Sequence, residues 1–129
     1  MKLIIPELLY TGGEFKKEYA VMIEGTKIKK IGPAAELKKE AGEAEFLELP
    51  HQVLVPGTVN AHNHCFQSLL RGIAADRPFL EWRDRSLYHY SPLMTLEDIY
   101  NGALFAFGEM MKRGVTCVGD FFYLHNYGT

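Results

Sequence analysis

Two histidines one residue apart, His62 and His64, close the stretch Pro56-Gly57-Thr58-Val59-Asn60-Ala61-His62-Asn63-His64. A turn pair opens it, and a small-residue stretch of strand character follows. Side chains on a strand alternate between faces, so positions i and i+2 point the same way. His62 and His64 are thereby predicted to reach one point, where two imidazoles can hold a metal ion with Zn–N bonds of roughly 2.0–2.1 Å. The spacing alone is weak: five histidines among 129 residues give roughly 0.2 chance occurrences of His-x-His. Two unrelated polar residues at a strand end would read the same way. Context favours the metal, because a turn and a strand precede the pair and helix-like sequence follows it.

The elements that must position these rings can be read in outline. Residues 3–9 form a short apolar strand ended by Thr11-Gly12-Gly13, and 19–23 and 27–31 form a hairpin turned at Glu24-Gly25-Thr26. Residues 34–41 read as a short helix closed by Gly42, and 45–49 as another strand. The first 52 residues are thus a β-rich unit with too few strands to close a sandwich by itself. The character changes at His51-Gln52, and 53–55 is a buried-type run leading into the histidine motif. One or two helical turns are expected over 66–71, and partial helix over the aromatic-rich 79–90. The clearest helix is 96–113, with Thr95 as N-cap, Asp98 at N3 and Gly114 as C′. Leu96, Ile99, Tyr100, Ala103, Phe107, Met110 and Met111 make its predicted core stripe. Residues 115–122 are a second buried strand. Strand, helical connection, long helix, strand is a parallel βαβ order, and two strands apolar throughout suit a sheet covered by helices. His62/His64 and Tyr123/His125 then fall at equivalent C-terminal strand ends, the face of a (β/α)8 barrel where chemistry sits.

Composition narrows the class further. Fourteen basic and 16 acidic residues balance to −2, so no nucleic-acid groove is indicated. No apolar run approaches the ~20 residues of a membrane helix, and the start lacks the pattern of a secretory signal. Cys65 and Cys117 make no disulfide framework, so a reduced, cytoplasmic setting is expected. Cys65 reads as a small buried residue rather than a nucleophile.

Residues 55–127 resemble the amidohydrolase superfamily, in particular its metal-dependent aminohydrolase branch of deaminases, triazine hydrolases and formiminoglutamate deiminase. The resemblance rests on Pro56-Gly57, Val59-Asn60, His62-x-His64, Leu69-Leu70-Arg71-Gly72, Phe79-Leu80-Glu81-Trp82, Thr95-Leu96-Glu97-Asp98, Glu109-Met110 and Gly114-Val115-Thr116. It implies an α/β fold, the N-terminal part of a (β/α)8 (TIM) barrel over 53–129, preceded over 1–52 by part of a small β-sandwich domain. Asn60 resembles the branch with one metal. The implied cofactor is one divalent cation, zinc first and iron second, held by His62, His64 and ligands from later strands. The implied reaction is hydrolysis of a non-peptide C–N bond by metal-activated water, on a formimino-amino acid or a heteroaromatic amine.

Cys65-Phe66-Gln67, Trp82-Arg83 and Tyr123-Leu124-His125 are similar to the formiminoglutamate deiminase pattern, whereas Leu69-Leu70-Arg71-Gly72 is similar to the triazine-hydrolase and adenosine-type members. The resemblance makes Gln67, Trp82, Arg83, Tyr123 and His125 the candidate substrate contacts. Each also has a plain reading: a polar residue at a helix start, packing, a solvated charge in competition with Arg77 and Arg85, a strand-end aromatic, and a surface histidine. Asp120 reads as an acceptor of structural hydrogen bonds, and His51 and His89 as structural or exposed.

Such a barrel takes roughly 250 residues, and about 75 follow Val55. The chain therefore reads as the front third of a larger enzyme whose remainder lies in the same or a separate chain. The catalytic acid and base and the further metal ligands are expected beyond Thr129, the last residue of the sequence. The alternative reading is an inactive structural fragment that needs a C-terminal partner chain to complete the enzyme. A small-molecule substrate is implied, and homo-oligomerisation is left open. A different His-x-His fold such as a cupin would need strands after His64, where helix signals stand instead.

Overall fold

The computed structural model describes residues 1–124. The stretch 125–129, which includes His125 and Thr129, lies outside the described residues. The chain divides into two compact units after Pro56.

The first unit is a five-stranded sheet of β1 (Lys2–Thr11), β2 (Glu14–Lys17), β3 (Tyr19–Glu24), β4 (Lys27–Pro33) and β5 (Glu45–Leu54), with α1 (Ala34–Ala41) between β4 and β5. β1 is its axis. β1 pairs antiparallel with β3 through Lys2–Ile4 and with β2 through Leu8–Thr11, and parallel with β5. Leu3 lies opposite Met22 in the register, and both join Ala20, Leu37, Ala34 and Ala41 in one buried cluster under α1. The helix starts behind Pro33 and stops at Gly42, whose φ of 55° continues no right-handed helix.

Two sequence expectations change here. β2 is an added strand that no apolar alternation marks. It forms because Gly12 and Gly13, both at positive φ, fold the chain back and set Phe15 on Tyr10 at 4.9 Å. The run 53–55, expected to be buried, is the end of β5 and its approach to Pro56, and Val53 and Val55 are half exposed.

The second unit holds β6 (Thr58–Asn63), a 3-10 turn (Cys65–Leu70), α2 (Phe79–Trp82), a π turn (Arg83–Leu87), α3 (Tyr88–Tyr90), a 3-10 turn (Ser91–Leu93), α4 (Leu96–Lys112) and β7 (Val115–Asp120). β6 and β7 pair in parallel, as the βαβ order requires. Phe66, Leu70, Leu87 and Ile99 form the core, with Trp82, Phe122 and Tyr123 packed against it.

α4 starts in a capping box. Asp98 N donates to Thr95 Oγ1 at 3.1 Å, and Thr95 N donates to Asp98 Oδ2 at 2.8 Å. Thr95→Ala is expected to lower stability by about 1 kcal/mol, read as a lower urea midpoint with unchanged slope.

The buried face of α4 differs from the predicted stripe. Ile99, Gly102 and Ala106 are buried, whereas Leu96, Tyr100 and Met111 are 64%, 66% and 76% exposed. The cause is close approach: a Cβ on Gly102 would lie 3.2 Å from Leu69 Cγ and 3.3 Å from the Phe66 carbonyl oxygen. The helix packs on Ile99 and its small residues Gly102 and Ala106 and turns Leu96, Tyr100, Leu104 and Met111 outward. In the two-stranded sheet Val59 of β6 is 68% exposed. A two-stranded sheet with helix on one side leaves its other side bare.

Candidate metal centre

The histidine motif starts on a tight backbone crossing. Thr58 N donates to the Gly114 carbonyl at 2.9 Å, and a Cβ on Gly57 would fall 2.2 Å from Thr116 Cγ2. Only glycine fits there, so the start of β6 is locked against the start of β7. The ladder then loses register between Asn60 and Asn63, where three steps along β6 match two along β7. Such a bulge re-aims side chains. His62 sits in the bulge with its N–H donated to Asn60 Oδ1 at 3.2 Å, and His64 lies just past the strand at φ −136°, ψ 82°.

The two rings do converge. Nε2 of His62 and Nε2 of His64 are 3.1 Å apart, with the rings nearly perpendicular at 88°. Simple strand alternation is not the reason, because a bulge and a strand end intervene.

The protonation of His64 follows from its other nitrogen. Nδ1 lies 2.7 Å from the Phe121 carbonyl oxygen. A carbonyl can only accept, so Nδ1 carries a proton, and the tautomer of the neutral ring is the one with the lone pair on Nε2. Two nitrogens each about 2.05 Å from a tetrahedral zinc would stand roughly 3.3 Å apart. The observed separation and tautomer therefore fit a shared divalent cation. Among the described residues no group of three or more His, Cys, Asp or Glu side chains could complete a site, so the pair offers two ligands. The expectation of further ligands and of a catalytic acid and base beyond Thr129 concerns nothing among the described residues.

Asp120 supports this corner and stands apart from the ring nitrogens in function. Its Oδ1 accepts from Asn63 Nδ2 at 2.6 Å and from the Cys65 backbone N–H at 2.9 Å. Cys65 is buried, and that burial, reinforced by a hydrogen bond to Asp120 and its charge, pushes the thiol up to about 11. At pH 8 roughly one molecule in a thousand would carry the thiolate. Iodoacetamide at that pH is expected to leave Cys65 unmodified in the native protein, as checked by peptide mass mapping, and to label it after denaturation.

The remaining candidates separate into two places. Gln67 and Tyr123 come together, with Gln67 Nε2 donating to the Tyr123 hydroxyl at 2.5 Å. The Tyr123 ring lies 5.4 Å from the His64 ring, and burial raises its pKa, so it stays a neutral phenol. Trp82 packs on the Phe66 cluster, 5.8 Å from the Phe79 ring. Arg83 directs Nε and Nη2 to Asp84 Oδ1 at 2.8 and 2.7 Å and lies over the Tyr88 ring. His125 is outside the described residues. Sequence reasoning had no means of finding the Phe121 carbonyl, a backbone group that any residue type would supply. Asn63 carried a weak signal, an amide set between two histidines.

The comparisons agree on one lineage. The amidohydrolase family model matches residues 53–129. A 5'-deoxyadenosine deaminase of Methanocaldococcus jannaschii is 36% identical over 108 residues, 83% of this chain and 25% of its own length. A 5-methylthioadenosine/S-adenosylhomocysteine deaminase of Syntrophomonas wolfei is 38% identical over 106 residues, 80% of this chain and 23% of its own length. Among solved structures, an adenosine deaminase from Xanthomonas campestris with bound zinc superposes with a TM-score of 0.85 at 27% identity, over 95% of this chain and 29% of its own. A zinc-complexed atrazine chlorohydrolase from Arthrobacter aurescens shares the fold, with a TM-score of 0.78 at 21% identity over 93% of this chain and 28% of its own. The chain spans about a quarter of the length of the curated relatives it matches.

Proposed function

The chain belongs to the amidohydrolase family, and on that premise we propose that the full-length protein is a metal-dependent aminohydrolase in which His62 and His64 bind one divalent cation, zinc first and iron second. The observation that carries this reading is the 3.1 Å approach of the two Nε2 atoms together with the Phe121 carbonyl on His64 Nδ1. When bound, a divalent cation supplies acidity, lowering the pKa of a coordinated water from 15.7 to about 7. The chain's own part is to hold two lone pairs on one point and to fix the His64 tautomer. Gln67 and Tyr123, already joined beside His64, are the residues assigned to orient substrate. The proton given to the departing amine is assigned to no residue of this chain.

β6 and β7 are read as the first two strands of a (β/α)8 barrel, and the first unit as part of a β-sandwich. The bare apolar side chains Val59, Leu96, Tyr100, Leu104, Met111 and Phe121 support this. Exposure on that scale marks a surface that another part of the protein covers. With two ligands and an open sheet, the 129-residue chain alone is expected to be inactive, and the remainder must come from the same or a separate polypeptide.

Among substrate classes, an adenosine-type heteroaromatic amine is favoured over a formimino-amino acid. The named activities of the relatives at 36% and 38% identity support that order. Zinc-loaded full-length protein is expected to release ammonia from 5'-deoxyadenosine, with kcat/KM at least about 10²-fold above that for N-formimino-glutamate. The reverse order would reject the substrate assignment. No ammonia from either, with zinc bound, would reject deamination.

A further inference from the structure

We infer that Asp120 is a positioning residue for the metal centre, holding the Asn63 side chain and the Cys65 backbone on either side of His64 so that its Nε2 stays aimed at the partner ring. This rests on the reading of His62 and His64 as ligands. His64 has left the strand, and the bulge between Asn60 and Asn63 removes regular ladder bonds just before it. Something else must fix its backbone.

The end of β7 does so through two consecutive residues. Asp120 Oδ1 takes the Asn63 side-chain N–H at 2.6 Å and the Cys65 backbone N–H at 2.9 Å, one on each side of His64. Phe121 N donates to the Asn63 carbonyl at 2.8 Å, and the Phe121 carbonyl takes His64 Nδ1–H at 2.7 Å. Four hydrogen bonds from Asp120 and Phe121 thus enclose the three residues 63–65. Two N–H donors occupy Oδ1 of Asp120, so that oxygen acts on the histidine through its neighbours. Residues that orient a ligand typically change metal affinity about 10–100-fold when removed.

The test is zinc affinity of the full-length protein, measured by chelator competition, with thermal melting of each zinc-free variant alongside. Asp120→Ala is expected to weaken zinc binding by roughly 10–100-fold. Asp120→Asn keeps an oxygen that can accept both N–H groups and is expected to stay within about 3-fold of the parent. Asn63→Ala removes one of the two donors and is expected to weaken binding by roughly 3–10-fold. It decides the matter should Asp120→Ala not fold. Parent-like zinc affinity in both Asp120→Ala and Asn63→Ala would overturn the inference. So would equal loss in Asp120→Asn and Asp120→Ala, which would make charge, rather than the two held N–H groups, the cause. His64→Ala separates the premise from the inference: if it too binds zinc like the parent, the ligand assignment has failed, not the role of Asp120.

Discussion

Replacing His64 with alanine in the full-length protein is expected to empty the metal centre and to lower kcat/KM by at least about 10³-fold. The size follows from what the ring supplies. His64 contributes one of the two ring nitrogens that stand 3.1 Å apart, and its Nδ1 contact with the Phe121 carbonyl leaves the Nε2 lone pair of the neutral ring facing His62. Alanine removes both at once. On the proposed mechanism, water without the cation would keep a pKa of about 15.7, and almost none of it would be hydroxide at neutral pH. The loss should appear in kcat more than in KM, because metal activation acts on the chemical step. Zinc content by mass spectrometry should fall in parallel. His64 is half-buried with an exposed partner ring, so the folded structure is expected to survive the change.

Phe66→Ala is expected to cost about 3–5 kcal/mol of folding stability, the range for deleting a buried aromatic ring. Phe66 is fully buried. It meets Phe122 and Tyr123 edge-on at centroid distances of 5.7 and 5.0 Å and packs with Leu70, Leu87 and Ile99. A domain's net stability is about 5–15 kcal/mol, so this one ring carries a large share. Urea unfolding should show a much lower midpoint, and Phe66→Leu should lose well under half as much. The ring also stands two residues from His64 and touches Tyr123. Its loss should therefore loosen the Gln67–Tyr123 pair before the unit unfolds.

Features set by local chemistry are legible in the sequence. Thr95 with Asp98 and Gly114 mark the ends of α4, and Gly42 marks the end of α1, because caps and left-handed residues act over three or four positions. Features set by pairing across the chain are not. β2 exists because β1 offers it an edge, and its charged residues give no period to read. The buried face of α4 is the glycine–alanine side because Phe66 and Leu69 come up against Gly102, and a hydropathy stripe weights large side chains instead. The histidine pair lies between these cases. Its convergence can be expected from spacing, but the route runs through a bulge that exists only in register with β7. The carbonyl that sets the His64 tautomer leaves no trace in residue identity.

The proposed ligand pair, His62 and His64, carries its own preference among metals. Two imidazoles at tetrahedral spacing suit zinc or iron and are poor partners for magnesium or calcium, which take oxygen ligands. The most direct measurement is anomalous diffraction at the zinc edge from crystals of the zinc-loaded, full-length protein. A single strong peak roughly 2.0–2.1 Å from Nε2 of both His62 and His64 is the predicted result. A fully occupied zinc bound elsewhere, with the two Nε2 atoms left hydrogen-bonded to each other, would contradict it.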